Sequence, residues 1–200
     1  MARVNPGLCS MALIAGLASA QAQPPSSLAC AGPFARNTSH AKVVAAFGEA
    51  NVAFMTVDGP ESSETEATVI FGDDPARRID IAWKDAARTR PDVIRIEAPS
   101  AWIAPSGVRI GTTLDRMVKL NGAPFRINGF GWDNEGLAEF RSGGLARIPG
   151  GCMLTVRFQA AQNPLGPRFK RISGNRKIAS NDPLMREAAP TVIEIFLSYK

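Results

Sequence analysis

The residue pattern predicts an α+β chain. It consists of two tandem repeats, each a short helix packed on an antiparallel β-meander, with the two meanders free to join in one continuous sheet. Three observations predict this. The segment "TSHAKVVAAFGEANV" (38–52) lies over "TTLDRMVKLNGAPFR" (112–126) at a constant offset of 74. Alternating, β-branched runs bounded by turn residues follow each copy. A last alternating run closes the chain at "TVIEIFLSY" (191–199).

Taken in order, residues 1–22 read as a cleaved signal peptide. A single charge, Arg3, precedes an apolar run from Leu8 to Leu17, and two overlapping A-x-A patterns end at Ala20 and Ala22. The run is shorter than the roughly 20 apolar residues a membrane-spanning helix needs. No later stretch is longer, so the expectation is a chain without a transmembrane segment, placed in the periplasm or secreted. Removing Arg3 lowers the formal net charge from +5 to +4. That is mildly basic and argues against nucleic acid as a partner, which calls for a concentrated basic face. Cys9 leaves with the leader, so Cys30 and Cys152 remain. An even count in an oxidising compartment points to one disulfide between them.

The first repeat spans 30–98. Its helix opens at the hydroxyls Thr38 and Ser39, natural N-cap acceptors, and ends at Gly48. "EATVIF" (66–71) and "RIDIAW" (78–83) follow around the polar turn "GDDPAR", and "DVIRIE" (92–97) adds another strand. Residues 99–110 form a Pro-punctuated connector. The second repeat, 111–160, opens at Thr112-Thr113 and ends its helix at Asn121-Gly122, where Pro124 prevents continuation. Strands are expected in "FRINGFGW" (125–132), "LAEFRS" (137–142) and "CMLTVRF" (152–158), with Gly129 and Gly131 permitting a bulge or a close backbone approach. Residues 161–200 hold a basic loop with a short strand at "FKRI", a helical turn opened by Asp182, and the closing strand docking on the sheet.

The run from Gly111 to Pro124, "G-x-T-x-x-x-M-V-x-x-x-x-G-x-P" with Trp132 on the strand beyond it, resembles the helix-to-strand signature of small periplasmic domains. These are the β-lactamase-inhibitor-protein-like fold and the related small lipoprotein of the outer-membrane assembly machinery. "LNGAPFRINGFGWD" is also similar to a pattern in uncharacterised exported proteins of Gram-negative bacteria, with Asn134-Glu135 standing where Tyr-Gly is usual. The resemblance covers about residues 111–158 and, more weakly, 38–83. It implies a tandem α+β architecture used for protein–protein contact and transfers no catalytic residue.

Candidate chemistry is sparse. His40 is the only histidine, so a nucleophilic triad would need it, with Ser39 beside it and Asp58 or Asp73 as third member. The alternative function is accordingly a small hydrolase or metal-assisted enzyme using His40 and turn carboxylates. Asp133 and Glu135 flank Asn134, and Asp73-Asp74 sit in a turn, but Asp, Asn and Gly are what any tight turn selects. "WDNEG" has too few oxygens for a calcium loop, and "SGGLARIPGG" lacks the Lys-Ser/Thr of a phosphate loop. No cofactor or metal is implied. For binding, Trp102, Phe130 and Trp132 are candidate interface anchors against a plainer core reading, with Asp133 and Glu135 beside them. Phe130 and Trp132 are expected on one strand face. Arg168, Lys170 and Arg171, in a basic stretch continuing to Lys177, are candidate electrostatic contacts with an anionic envelope surface. The function expected is that of a non-enzymatic module binding another envelope protein.

Overall fold

The structure is a computed structural model that describes Met1 and residues 27–59, 63–161 and 165–200. The leader expected at 1–22, apart from Met1, lies outside the described residues. Among those described, no helix is long and apolar enough to cross a membrane.

Among the described residues nine strands and three α-helices make a mixed α+β fold. The strands are β1 (Val52–Asp58), β2 (Glu64–Ile70), β3 (Ile79–Trp83), β4 (Pro91–Glu97), β5 (Arg126–Asn128), β6 (Leu137–Glu139), β7 (Met153–Gln159), β8 (Lys177–Ala179) and β9 (Thr191–Ser198). The helices are α1 (His40–Phe47), α2 (Leu114–Asn121) and α3 (Pro183–Glu187). Seven strands form one antiparallel sheet in the order β1-β2-β3-β4-β9-β7-β6, and β5 pairs with β8 separately. The C-terminal strand does more than dock. It lies between β4 and β7, with Arg95 opposite Phe196 on one side and Thr155 opposite Phe196 on the other. The first meander therefore joins the rest of the sheet only through β9, a pairing at long sequence separation that no local pattern encodes.

One face of the sheet packs the core. Ile79 and Ile81 of β3, Ile94 and Ile96 of β4, Ile195 and Leu197 of β9, and Leu154, Val156 and Phe158 of β7 are all buried there with Met117, Phe34 and Trp102. The helices α1 and α2 are eight residues each, and their starts and ends keep the offset of 74. Ser39 and Thr113 cap them, accepting from the N–H groups of Lys42 and Arg116. Asp182 caps α3 in the same way, accepting from Leu184 N.

The Cys30–Cys152 disulfide is formed, with a Cα–Cα distance of 6.0 Å, inside the usual range for such bridges. It joins the segment ahead of α1 to the start of β7. Gly150, at φ +90°, packs on it so closely that a Cβ would stand 2.1 Å from the Cys30 carbonyl oxygen. This contact explains the first glycine of the "RIPGG" turn; the second, Gly151, stands at φ +72°.

Three local expectations are corrected. "FKRI" lies in a 3-10 helix, Gly166–Ile172, not a strand. Its buried side, Phe169 and Ile172, has the spacing of three that this helix repeats. The strand expected over 125–132 stops at Asn128, because Gly131 at φ +77° turns the chain. Strands β1 and β8 were not anticipated; β1 is largely exposed on both faces, so it needs no apolar alternation.

Candidate functional site: the open face of the sheet

Among the described residues no further layer covers the face opposite the helices. Alternation along each strand presents Asp80 and Ala82 from β3, Val93 and Arg95 from β4, Glu194, Phe196 and Ser198 from β9, and Thr155 and Arg157 from β7. Together with Asp58, Asn134 and Leu137 at its margins they line a shallow depression of about 520 Å³. Met153, 41% exposed, extends the apolar part of this face along β7.

Charge on this face is organised by register. Glu97 and Glu194 stand directly opposite one another across β4 and β9, a like-charge pair that costs stability if left alone. Arg95 relieves it: Nη2 donates to Glu97 Oε2 at 2.6 Å, and Nε lies 3.7 Å from Glu194 Oε1. Arg157, directly opposite Glu194 on the other side, forms an ion pair with it and donates from Nη1 to the Glu135 carbonyl at 2.9 Å. Arg95 Nη1 also donates to the Asp58 carbonyl at 3.2 Å. On β3, Arg78 Nε donates to the buried Asp80 at 2.9 Å, and that bond is the main cause raising the Arg78 pKa. Two arginines thus bracket one glutamate across β4, β9 and β7, and both reach out to main-chain carbonyls at the margin of the face.

The turn singled out from sequence borders this face. Glu135 closes it by accepting from the Gly131 N–H, and Trp132 O accepts from Glu135 N at 2.9 Å. Asn134 stands at φ +59°. Gly136 is packed against β7, where a Cβ would fall 1.9 Å from the Phe158 carbonyl oxygen. Asp133 is exposed on the turn.

The aromatic candidates separate. Trp132 is 63% exposed and lies with Nε1 beside Gly174. Phe130 is buried and stacks on Phe169 at 5.7 Å, so the two do not share a face; the Gly131 turn divides them. Gly129 lies so near the 172–174 backbone that a Cβ would meet the Gly174 carbonyl oxygen at 2.3 Å, the close approach expected of it. Trp102 is buried, edge-on to Phe34, with Nε1 donating to the Arg77 carbonyl at 2.8 Å.

Arg168 is engaged by Glu187 in a two-pronged ion pair, which raises the Arg168 pKa and lowers that of Glu187. Lys170 and Arg171 are exposed on the same 3-10 helix.

His40 sits in the first turn of α1. Its Nδ1 is 2.8 Å from Thr68 Oγ1, which also accepts from Trp83 Nε1 at 2.9 Å. Tryptophan can only donate, so the Thr68 proton is free to go to a neutral His40. A charged imidazole would instead donate, leaving that proton without a partner. Burial, with the nearby Arg88 guanidinium as a second cause, holds the His40 pKa below its usual value. Among the described residues no carboxylate bonds to His40, and neither Asp58 nor Asp73 completes a triad with it. No group of three or more His, Cys, Asp or Glu side chains converges among them in a metal-holding arrangement.

The arrangement can hold a flat, mixed-charge surface against the open face. No family model, curated protein or solved structure matches the chain.

Proposed function

We propose that this chain is an exported, non-enzymatic binding module of the bacterial cell envelope, and that it docks another protein on the open face of its sheet. The observation carrying the reading is the face itself. Phe196, Val93 and Met153 lie beside a fixed Arg95–Glu194–Arg157 row, at the margin held by the Asp133–Glu135 turn. An apolar centre framed by oriented charges is the anatomy of a protein interface. The disulfide is compatible with an oxidising compartment such as the periplasm. The matched lengths and caps of α1 and α2 support a repeat relationship like that of the β-lactamase-inhibitor-protein-like domains.

The test is affinity capture from an envelope extract using the oxidised mature chain. Met153→Glu and Trp132→Ala run beside it, each first shown to be folded by near-UV circular dichroism. Both side chains are exposed, so neither change empties the core. One protein enriched by the parent chain and lost with Met153→Glu supports the reading, and loss with Trp132→Ala extends the face to the turn. Equal capture by the parent and Met153→Glu, or none by either, removes the open face as the docking site.

A further inference from the structure

Strand β1 forms one edge of the seven-stranded sheet. Phe71 N donates to Asn51 O and Gly59 N to Ser63 O, which fixes the pairing with β2. Odd-numbered residues of β1 turn their main-chain groups toward β2, and even-numbered ones turn them outward. The outward groups of Phe54 and Thr56 have no partner among the described residues. At the ends, Val52 N already donates to Glu49 O, and Asp58 O already accepts from Arg95. Natural edges are usually blunted by lysine, proline, a bulge or brevity. The interior of β1, "AFMTV", has none of these, and it exposes Phe54 and Met55. The opposite edge is guarded: β6 is three residues long, and Gly136, just ahead of it, is bonded to Asn128 O.

Charge along this edge is bipolar. At one end the Arg88 guanidinium lies 4.3 Å over the Phe54 ring, and among the described residues its Nε has no hydrogen-bond partner and the side chain makes no ion pair. At the other, Glu66, opposite Thr56, and Glu64, opposite Asp58, are exposed and also make no ion pair among the described residues.

We infer that β1 is a homodimerisation edge, pairing antiparallel with β1 of a second copy about a twofold axis at Met55. This register sets Phe54 opposite Thr56 of the second copy and Val52 opposite Asp58. The outward residues then face one another as hydrogen-bonded pairs, giving about six main-chain bonds. The bonds forgone are those between Val52 N and Asp58 O, the two groups already satisfied within each chain. In the shared sheet Glu66, Thr56 and the second copy's Phe54 fall in one row. The unpaired carboxylate of one chain therefore comes within side-chain reach of the unpaired guanidinium of the other, twice by symmetry. An edge that is uncharged at its centre and oppositely charged at its ends is complementary to itself only in antiparallel pairing, which is why a second copy is the occupant.

The experiment is sedimentation velocity on the oxidised mature chain across a concentration series. Thr56→Pro removes an outward N–H without touching the bonds to β2 and is expected to shift the mass from dimer to monomer. Arg88→Glu weakens the dimer, and adding Glu66→Arg restores it. Met55→Cys is expected to cross-link two chains under mild oxidation, because position 55 meets itself in a closely spaced, non-hydrogen-bonded pair. Ala53→Cys, which meets Val57 of the second copy, is not. A monomer at every concentration overturns the inference. So does a dimer that survives Thr56→Pro, or one that fails to cross-link through Met55→Cys. If Thr56→Pro does not fold, the contrast between the two cysteine variants decides alone.

Discussion

Helix α1 is capped by Ser39 and helix α2 by Thr113, and both are closed by a glycine, yet α1 buries only Val43 while α2 buries Leu114, Met117 and Asn121. The second helix is also fastened at its end. Asn121 Oδ1 accepts from Leu145 N at 3.1 Å, and its Nδ2 donates to Ala123 O at 2.8 Å. The matching position in α1 is the half-buried Phe47. Start and stop signals thus make the two helices equal in length, and tertiary anchoring makes them unequal in strength, since packing supplies most of the stability of short helices.

The largest test of that contrast is the disulfide. Cys30–Cys152 ties the segment leading into α1 to β7 across 122 residues. Chain entropy predicts a loss of about 4–5 kcal/mol when it is removed. Denaturant unfolding of Cys30→Ser/Cys152→Ser against the parent chain measures it. Amide exchange should show α1 losing more protection than α2, whose anchors do not involve Cys30. Equal loss in both helices would break the comparison.

Next comes the fastening of α2. Gly143 stands at φ +86°, and a Cβ there would fall 2.3 Å from the Asn121 carbonyl oxygen. Gly143→Ala is expected to cost about 2–4 kcal/mol, combining backbone strain with displacement of the helix end. Asn121→Ala, which strands the buried Leu145 N–H, is expected to cost about 1–3 kcal/mol. Thermal melts of both should show a marked drop; stability within a few tenths of the parent would mean that the clamp is not what distinguishes α2.

The caps come third and should not discriminate. Ser39→Ala and Thr113→Ala each remove one acceptor from the first turn, at about 1 kcal/mol apiece. A large difference between them would show that cap strength, rather than anchoring, separates the helices.

This contrast also marks how far the sequence could be read. Hydroxyl caps and terminal glycines act within one turn, so both helices and the Asp182-capped turn of α3 were legible. So were β4, β7 and β9, whose burial alternates, and β2 and β3, short apolar and β-branched runs bounded by turn residues. The position of β9 was not, because its partners lie about 100 and 40 residues away and alternation carries no address. Strand β1 was invisible for a related reason: a strand exposed on both faces leaves no apolar period. Of the candidate site, the Asp133–Glu135 segment was legible as a turn, since Asp, Asn and Gly are what a tight turn selects. The Arg95–Glu194–Arg157 row was not, since it exists only once β4, β9 and β7 are neighbours. For Trp102 and Phe130, residue type left interface anchor and core both open. A carbonyl acceptor on Arg77 and the ring of Phe169 are what draw them inside.

The smallest effect concerns the residue where the two helices differ most in chemistry. His40 occupies the position that α2 gives to the buried Leu114. Its folded-state pKa lies below the 6.5 of the free side chain, through burial first and Arg88 second. For a base with a depressed pKa the unfolded chain binds the extra proton more readily. The neutral form's contribution is therefore fully present above about 6.5 and is lost as pH falls from there toward the folded value. Denaturation midpoints taken downward through this window should decline, by little, because the imidazole is only partly buried. His40→Leu, which gives α1 the residue of α2, is expected to flatten that segment of the profile and leave the decline at lower pH to the carboxylates. An NMR titration of the single histidine checks the cause directly. An inflection at or above 6.5 would mean that burial and Arg88 do not hold the ring neutral, and the difference between the two helix starts would then be one of shape alone.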